Sequence, residues 1–215
     1  MAIKFIEKLK RLDKQRRVRK EAKRLGLENY DGVEALFTDH YRNNVWSGGK
    51  GETVSGSGST LKKTELLRDA LPELFARHAI ETVFDAPCGD YNWFRHVERG
   101  PIRYIGGDIV RELVEKNNQQ YADERTTFIH FDILKDKAPA ADLWFCRDVL
   151  LHLSYDMIFD FLRNFARSDI PWLLVSTKAA LSLLVLLVPT FLMGGTLPVL
   201  CRFFIHRANE SGERA

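Results

Sequence analysis

Three carboxylates recur at a near-constant interval: Asp85, Asp108 and Asp132 stand twenty-three and then twenty-four residues apart. Each closes or follows a short apolar run, TVFDA (82–86), RYIGGD (103–108) and TFIHFD (127–132). A carboxylate ending a buried strand can accept hydrogen bonds from both hydroxyls of a ribose. Asp108 suits that task, with a solvated acid as the alternative. Asp132 can reach the amino group of a base, with Ile133 packing beside the ring. Asp85 opens the turn FDAPCGDYNWF, in which Pro87 stiffens the backbone and Gly89 frees it. Such a turn brings amides close to a polar or anionic ligand, although capping of the turn competes as the role of Asp85. It is not the GxGxxG pattern of a pyrophosphate site.

A second group follows the run DLWFC (142–146), in CRDVLLHLS. Arg147, Asp148 and His152 fall at the exit of that strand and face the expected substrate mouth, while Cys146 points into the core. His152 can serve as a general base or position an acceptor, or it can simply hold the loop by a hydrogen bond. The chain shows no paired acids of the glycosidase kind, no serine nucleophile elbow, no P-loop and no HExxH. Cys88, Cys146 and Cys201 are too dispersed for a disulfide scaffold or a zinc cluster.

These residues need a frame that gathers strand ends. The three runs, with 142–146 and WLLVST (172–177), make five short apolar strands. Helical patterns intervene near 93–98, 110–121 and 155–166. That alternation predicts βαβ units and a parallel sheet, whose ligands bind beyond the carboxyl ends of the strands. Leu66, Leu67, Ala70, Leu74 and Phe75 form a stripe that predicts a helix over 61–79, with Pro72 marking a kink or an early boundary. The segment 30–60, rich in Gly, Ser and Asn, reads as loop. It also holds Trp46 and Glu52, which a plain linker does not require.

The formal charge of +3 is the sum of unlike pieces. Residues 1–30 carry eleven basic and four acidic groups, 31–177 carry seventeen and twenty-three, and the remainder carries four and two. The chain therefore divides into a basic arm (1–29), an acidic body (30–177) and a C-terminal segment (178–215). In the arm, Phe5, Leu9, Leu12, Val18, Ala22 and Leu25 make a helical stripe between basic residues. A solvated helix packed loosely on the body competes with contact to anionic lipid or nucleic acid, and no nucleic-acid motif supports the latter. The repeated charges leave no apolar core for a secretory signal.

Taken together, FDAPCGDYNWF, YIGGDIV, FIHFD and CRDVLLHLS resemble class I S-adenosylmethionine-dependent methyltransferases. More narrowly they look like a family of small bacterial methyltransferases whose glycine motif is written D-A-P-C-G-D. The upstream WSGGKGETVSGSGST resembles that family's loop, and the likeness covers about residues 30–177. The resemblance implies a Rossmann-like α/β fold, S-adenosyl-L-methionine as cofactor, a small-molecule acceptor and a cytoplasmic catalytic domain. By it, Asp85, Pro87, Cys88, Gly89 and Asp90 surround the methionine portion, Asp108 takes the ribose, and Asp132 and Ile133 lie near adenine. Trp46, Glu52 and Ser55–Ser59 form a lid or a loop touching the ligand, and Arg147, Asp148 and His152 border the substrate. Pro87 and Tyr91 stand where the wider superfamily has the first and last glycines of its turn.

After WLLVSTK the likeness ends. From Ala179 to Cys201 run twenty-three residues without a formal charge, AALSLLVLLVPTFLMGGTLPVLC. As a helix this run is long enough to span a hydrocarbon core of about 30 Å. PTFLMGGTLPVL resembles membrane segments of spermidine-synthase-like membrane proteins, without implying aminopropyl transfer. The run predicts membrane insertion or close association, with a buried core helix and strand as the alternative. The family's final strand pair is then missing, and three accounts compete. One is a membrane-anchoring fusion. A second is a truncated or joined product, favoured because an unpaired edge after the fifth strand invites aggregation. The third has the apolar run supplying the missing sheet edge. The alternative to an enzyme is a catalytically inactive, membrane-associated structural or interaction protein.

Overall fold

The computed structural model describes residues 31–47 and 51–176 in full, and the backbone of Thr177 and Ala180–Leu187. The basic arm at 1–29, the glycine pair and lysine at 48–50, and the tail at 188–215 lie outside the described residues.

Six strands form one sheet: β1 (Thr82–Asp85), β2 (Arg103–Asp108), β3 (Thr126–His130), β4 (Leu143–Arg147), β5 (Trp172–Thr177) and β6 (Ala180–Leu187). Their spatial order is β3-β2-β1-β4-β5-β6. The first five are parallel, and β6 runs antiparallel to β5. This is the Rossmann-like α/β layout expected from the alternation of strands and helices. β1 pairs with β2 on one side and β4 on the other, so the winding reverses direction beside it. In such sheets the crevice at that reversal, beyond the carboxyl ends, is where ligands bind.

The strands form because both faces of the sheet are covered. Side chains alternate across a strand, and the two sets enter separate cores. Val83, Leu143, Phe145 and Leu174 join a cluster with Leu71, Phe75, Phe94 and Tyr104. Phe84, Trp144, Cys146, Leu173 and Val175 join Phe131, Phe161 and Phe165 on the other face. Trp144 is fully buried, and its ring meets Phe161 edge-on at 5.4 Å and 90°. Deleting a ring of this kind costs about 3–5 kcal/mol, so these aromatic contacts set the positions of the strand ends firmly.

Four α-helices accompany the sheet: α1 (Val33–Arg42), α2 (Leu61–Arg77), α3 (Arg111–Tyr121) and α4 (Tyr155–Ala166). α4 matches the expected span, and the Ser154 side chain caps it by accepting from Met157 N at 3.3 Å. α2 runs on through Pro72, which the sequence marks as a kink or boundary. Leu71 and Phe75 are buried on either side of the proline, and that packing offsets the roughly 3 kcal/mol an internal proline costs.

Two further expectations are corrected. The segment 30–60 is not wholly loop, because α1 occupies its first third. Val33, Leu36 and Phe37 give α1 an apolar face, and Glu34 and Arg42 place charges that suit the helix dipole. The helix near 93–98 shrinks to one 3₁₀ turn, Phe94–His96, because Trp93 and Phe94 are both buried beneath it. The apolar run expected at a membrane lies mostly outside the described residues. Its part Ala180–Leu187 is the strand β6, and among the described residues no helix is long and apolar enough to cross a membrane. The open edge of β5 offers this segment a ladder of backbone partners from Trp172 to Thr177.

Candidate functional site

The carboxyl ends of β1, β2, β3 and β4 open into a cavity with about 1160 Å³ of empty space, part of it open to solvent. Parallel register brings the ends together: Asp85 lies opposite Gly106 and Phe145, and Asp108 opposite His130. Asp85, Pro87, Cys88, Gly89, Asp108, Asp132 and Ile133 all line the cavity, as do Arg147, Asp148 and His152. Asp90 does not. Residues read as the cofactor-side and acceptor-side groups thus share one cavity.

The β1 turn is held from three sides. Cys88 N donates to Gly107 O at 2.9 Å, and Asn117 Nδ2 of α3 donates to Gly89 O at 2.7 Å. Gly89 N donates to Asp108 Oδ2 at 3.0 Å. Gly89 has φ +61°, and a Cβ there would lie 2.3 Å from Ser55 Oγ. Both facts favour glycine. Tyr91, with φ +57°, adopts a left-handed conformation that suits glycine better. Its ring accounts for the exception: it is buried, 4.7 Å from Tyr104 and 5.1 Å from Phe128.

The acids differ in their partners. Asp85 is buried, and Tyr104 Oη donates to its Oδ2 at 2.7 Å. Burial pushes its pKa up to about 7, against the pull of the Tyr104 hydrogen bond and of Arg147. Asp108 is also buried, and that raises its pKa. The amides of Val110 (3.0 Å, to Oδ1) and Gly89 oppose the rise. Asp132 caps its own turn, accepting from Leu134 N at 2.9 Å, and pairs with Lys135 Nζ at 3.0 Å. Burial likewise pushes the Cys88 thiol well up, which leaves it a protonated wall of the turn rather than a nucleophile.

The loop 51–59 is stitched across this turn. Asp90 accepts from Val54 N at 2.8 Å and from Ser55 Oγ at 3.0 Å. Glu52 accepts from Asn92 Nδ2 at 3.0 Å and from Leu61 N, at the first turn of α2. Arg147 secures the far end, donating to Gly58 O at 2.8 Å and Ser59 Oγ at 3.3 Å. Its guanidinium carbon lies 5.4 Å from the centre of the Trp93 ring, and Nη2 is 3.0 Å from Asp148 Oδ2. Both Asp148 oxygens are shielded from solvent, and Asp148 has φ +55°. Burial lowers the Arg147 pKa, with Asp148 and Asp85 opposing. The Arg147–Asp148 pair therefore fixes the loop to the end of β4, while His152, in the 3₁₀ turn Leu150–His152, stands at the cavity wall.

No family model matches the chain, and no curated protein matches it. Among solved structures it is similar to magnesium protoporphyrin IX methyltransferase of Synechocystis PCC 6803 with bound SAH. That likeness has 15% identity and a TM-score of 0.48, over 66% of this chain and 67% of the other. It is also similar to the methyltransferase domain of bacterial CtHen1 (13%, TM-score 0.46, over 54% and 66%). A third likeness is to human N-acetylserotonin methyltransferase with SAM (18%, TM-score 0.41, over 64% and 47%). The chain thus spans 66% of the length of the CtHen1 domain and about half that of the human enzyme.

Sequence reasoning missed one wall of the cavity. Val33, Phe37 and Tyr41 of α1 line it beside Trp46. Glu34 pairs with Arg111 Nε at 3.1 Å and with His130 Nε2 at 3.2 Å, and Arg42 pairs with Glu112, so α1 is clasped onto α3 and the end of β3. The spacing of Val33, Leu36 and Phe37 was the available signal.

Proposed function

We propose that this chain binds S-adenosylmethionine and transfers its methyl group to a small-molecule acceptor. One observation carries the reading. Asp108 at the end of β2 accepts from the amide of Gly89 in the β1 turn, so a ribose-binding carboxylate and the turn form a single surface. The same turn is unsuited to a dinucleotide. A pyrophosphate needs the amino end of a helix after β1, whereas here Asp90 and a single 3₁₀ turn follow Gly89. A cofactor without phosphate, cationic at sulfur and at its amino group, fits a cavity lined by Asp85, Asp108 and Asp132.

When bound, the cofactor supplies an electrophilic methyl group on a positively charged sulfur. The protein's part is to position and to exclude water. Asp108 has acceptor capacity left for ribose hydroxyls after its two amide bonds, and Ile133 offers an apolar edge for the base. Loop 51–59, held by Asp90 and Arg147, covers the turn. His152 takes the proton from the acceptor's nucleophile, and the Arg147–Asp148 pair keeps the wall around it in place.

Calorimetric titration of the full chain with S-adenosylhomocysteine tests this. Binding should weaken by roughly 10- to 100-fold in Asp108→Asn, the loss expected for hydrogen bonds to a charged acceptor. Thermal unfolding of the ligand-free variant serves as the check on folding. No binding by the folded wild type, or equal binding by the folded variant, refutes the reading.

A further inference from the structure

We infer that the acceptor is a neutral, planar aromatic molecule bearing a hydroxyl or amino nucleophile, seated against Phe37 and Trp46. This rests on the methyl-transfer reading and names the substrate class of the same cavity.

One wall of the cavity is built of rings. Trp46 lies 5.7 Å from Phe37 at 37°, and 6.5 Å from His152 at 52°. His40 supports Trp46 edge-on at 5.3 Å. Val149 and Leu153 add apolar surface. Aromatic surfaces reward offset or edge contact with another ring beyond what apolar area alone supplies. The ion pairs that clasp α1 hold this wall in place without touching its contents.

Charge then narrows the class. Among the described residues, Arg147 is the one arginine or lysine lining the cavity. It is already engaged with Asp148, Gly58 and Ser59, and it stacks on Trp93. Among the described residues a phosphate or carboxylate on the acceptor would find no uncommitted cation, and it would enter a cavity bordered by acids. A permanently cationic acceptor would sit against the cofactor's own positive charge, which Asp85, Asp108 and Asp132 already face, and Asp148 is held by Arg147. What remains is an apolar space bordered by aromatic rings, with the His152 imidazole at its wall. In the transfer, the nucleophile's lone pair forms the bond to the methyl carbon as the carbon–sulfur bond breaks onto sulfur. The displaced proton leaves the nucleophile for His152.

The test uses the full chain and four probes of similar size: naphthol, naphthylamine, naphthyl phosphate and the saturated alcohol decalol. Affinities are measured by calorimetry with and without S-adenosylhomocysteine. Naphthol and naphthylamine should each bind about tenfold or more tighter than decalol and the phosphate. Trp46→Leu should abolish that preference, and Trp46→Phe should restore most of it. Assay with S-adenosylmethionine then shows whether oxygen or nitrogen is methylated. Equal binding of the phosphate or of decalol, or a preference that survives Trp46→Leu, overturns the inference. Failure of S-adenosylhomocysteine to bind overturns the cofactor reading instead, and the probe series without it judges the aromatic wall by itself.

Discussion

Replacing Asp85 by Asn should make the protein more stable, and increasingly so as pH rises. The Asp85 carboxyl is buried at the end of the central strand, and burial lifts its pKa to about 7. In the unfolded chain the same group titrates near 4. Between those values the folded protein keeps a proton that the unfolded chain has lost. Stability therefore falls as pH rises through that window and stays low above it. At about 1.4 kcal/mol per unit, a gap of about three units amounts to about 4 kcal/mol above pH 7, but only about 1 kcal/mol near pH 4.5. Asp85→Asn carries no such penalty, and its amide oxygen still accepts from Tyr104 Oη, now 2.7 Å from the carboxylate. The stability difference between variant and wild type should thus grow by about 3 kcal/mol from pH 4.5 to pH 8.5. Urea unfolding of the cofactor-free chain at several pH values measures it, because contributions from groups common to both proteins cancel. A difference that does not change with pH, or that shrinks as pH rises, would show that Asp85 is ionised throughout. Arg147 would then be compensating it fully, and the reasoning fails.

Three other substitutions test the site's construction. Gly89→Ala must accept a left-handed backbone and a Cβ 2.3 Å from Ser55 Oγ. It should lose about 2–4 kcal/mol in chemical denaturation, part of which Ser55→Gly in the same chain recovers. Arg147→Met strands the Asp148 carboxylate in a shielded place and should cost about 3 kcal/mol, while the Arg147→Met, Asp148→Asn double variant should be more stable than the single one. A double variant less stable than Arg147→Met would mean that Asp148 is not left as an uncompensated buried charge. Tyr91→Gly relieves a positive φ worth about 1 kcal/mol but removes a buried ring worth about 3–5 kcal/mol. A net loss of stability is expected by thermal unfolding, and a gain would show that the ring's packing does not hold the turn.

The strands were legible because burial on both faces leaves little freedom of composition. RYIGGD and WLLVST coincide with β2 and β5, and YDMIFDFLRNFA coincides with α4. The acids at the strand ends were legible for a related reason, since a carboxylate directly after a buried run must face the open end of the sheet. Which groups satisfy each acid was not legible. The partners of Asp108 and Asp85 come from Gly89, Val110 and Tyr104, and only the sheet register brings Tyr104 within reach of Asp85. Arg147 illustrates the same limit. Its position at the substrate mouth was legible and it lines the cavity, but its partners Gly58 and Ser59, some eighty-eight residues earlier in the chain, were not. α1 was hidden because the Gly- and Ser-rich half of 30–60 dominated a segment whose first ten helical residues follow a different rule.

The first part of the apolar run beyond β5 shows what hydropathy alone leaves open. A strand and a spanning helix can be equally apolar, and the difference lies in what their backbones can pair with. The edge of β5 decides the matter for Ala180–Leu187. Its antiparallel register runs from Trp172 opposite Leu187 to Thr177 opposite Ala180, with an irregularity between Val175 and Thr177. Only residues 178 and 179 separate the two strands, and antiparallel neighbours tolerate so short a connection where parallel ones do not. Without β6, the edge of β5 would be a template for association with another chain. It would also lie one strand from the site, because Asp148 N donates to Ser176 O of β5 at 2.9 Å and Arg147 lies opposite Ser176 in the ladder. The segment that looked foreign to the body thus begins with a strand covering the one against which the Arg147–Asp148 pair, and through it the loop over the cavity, is braced.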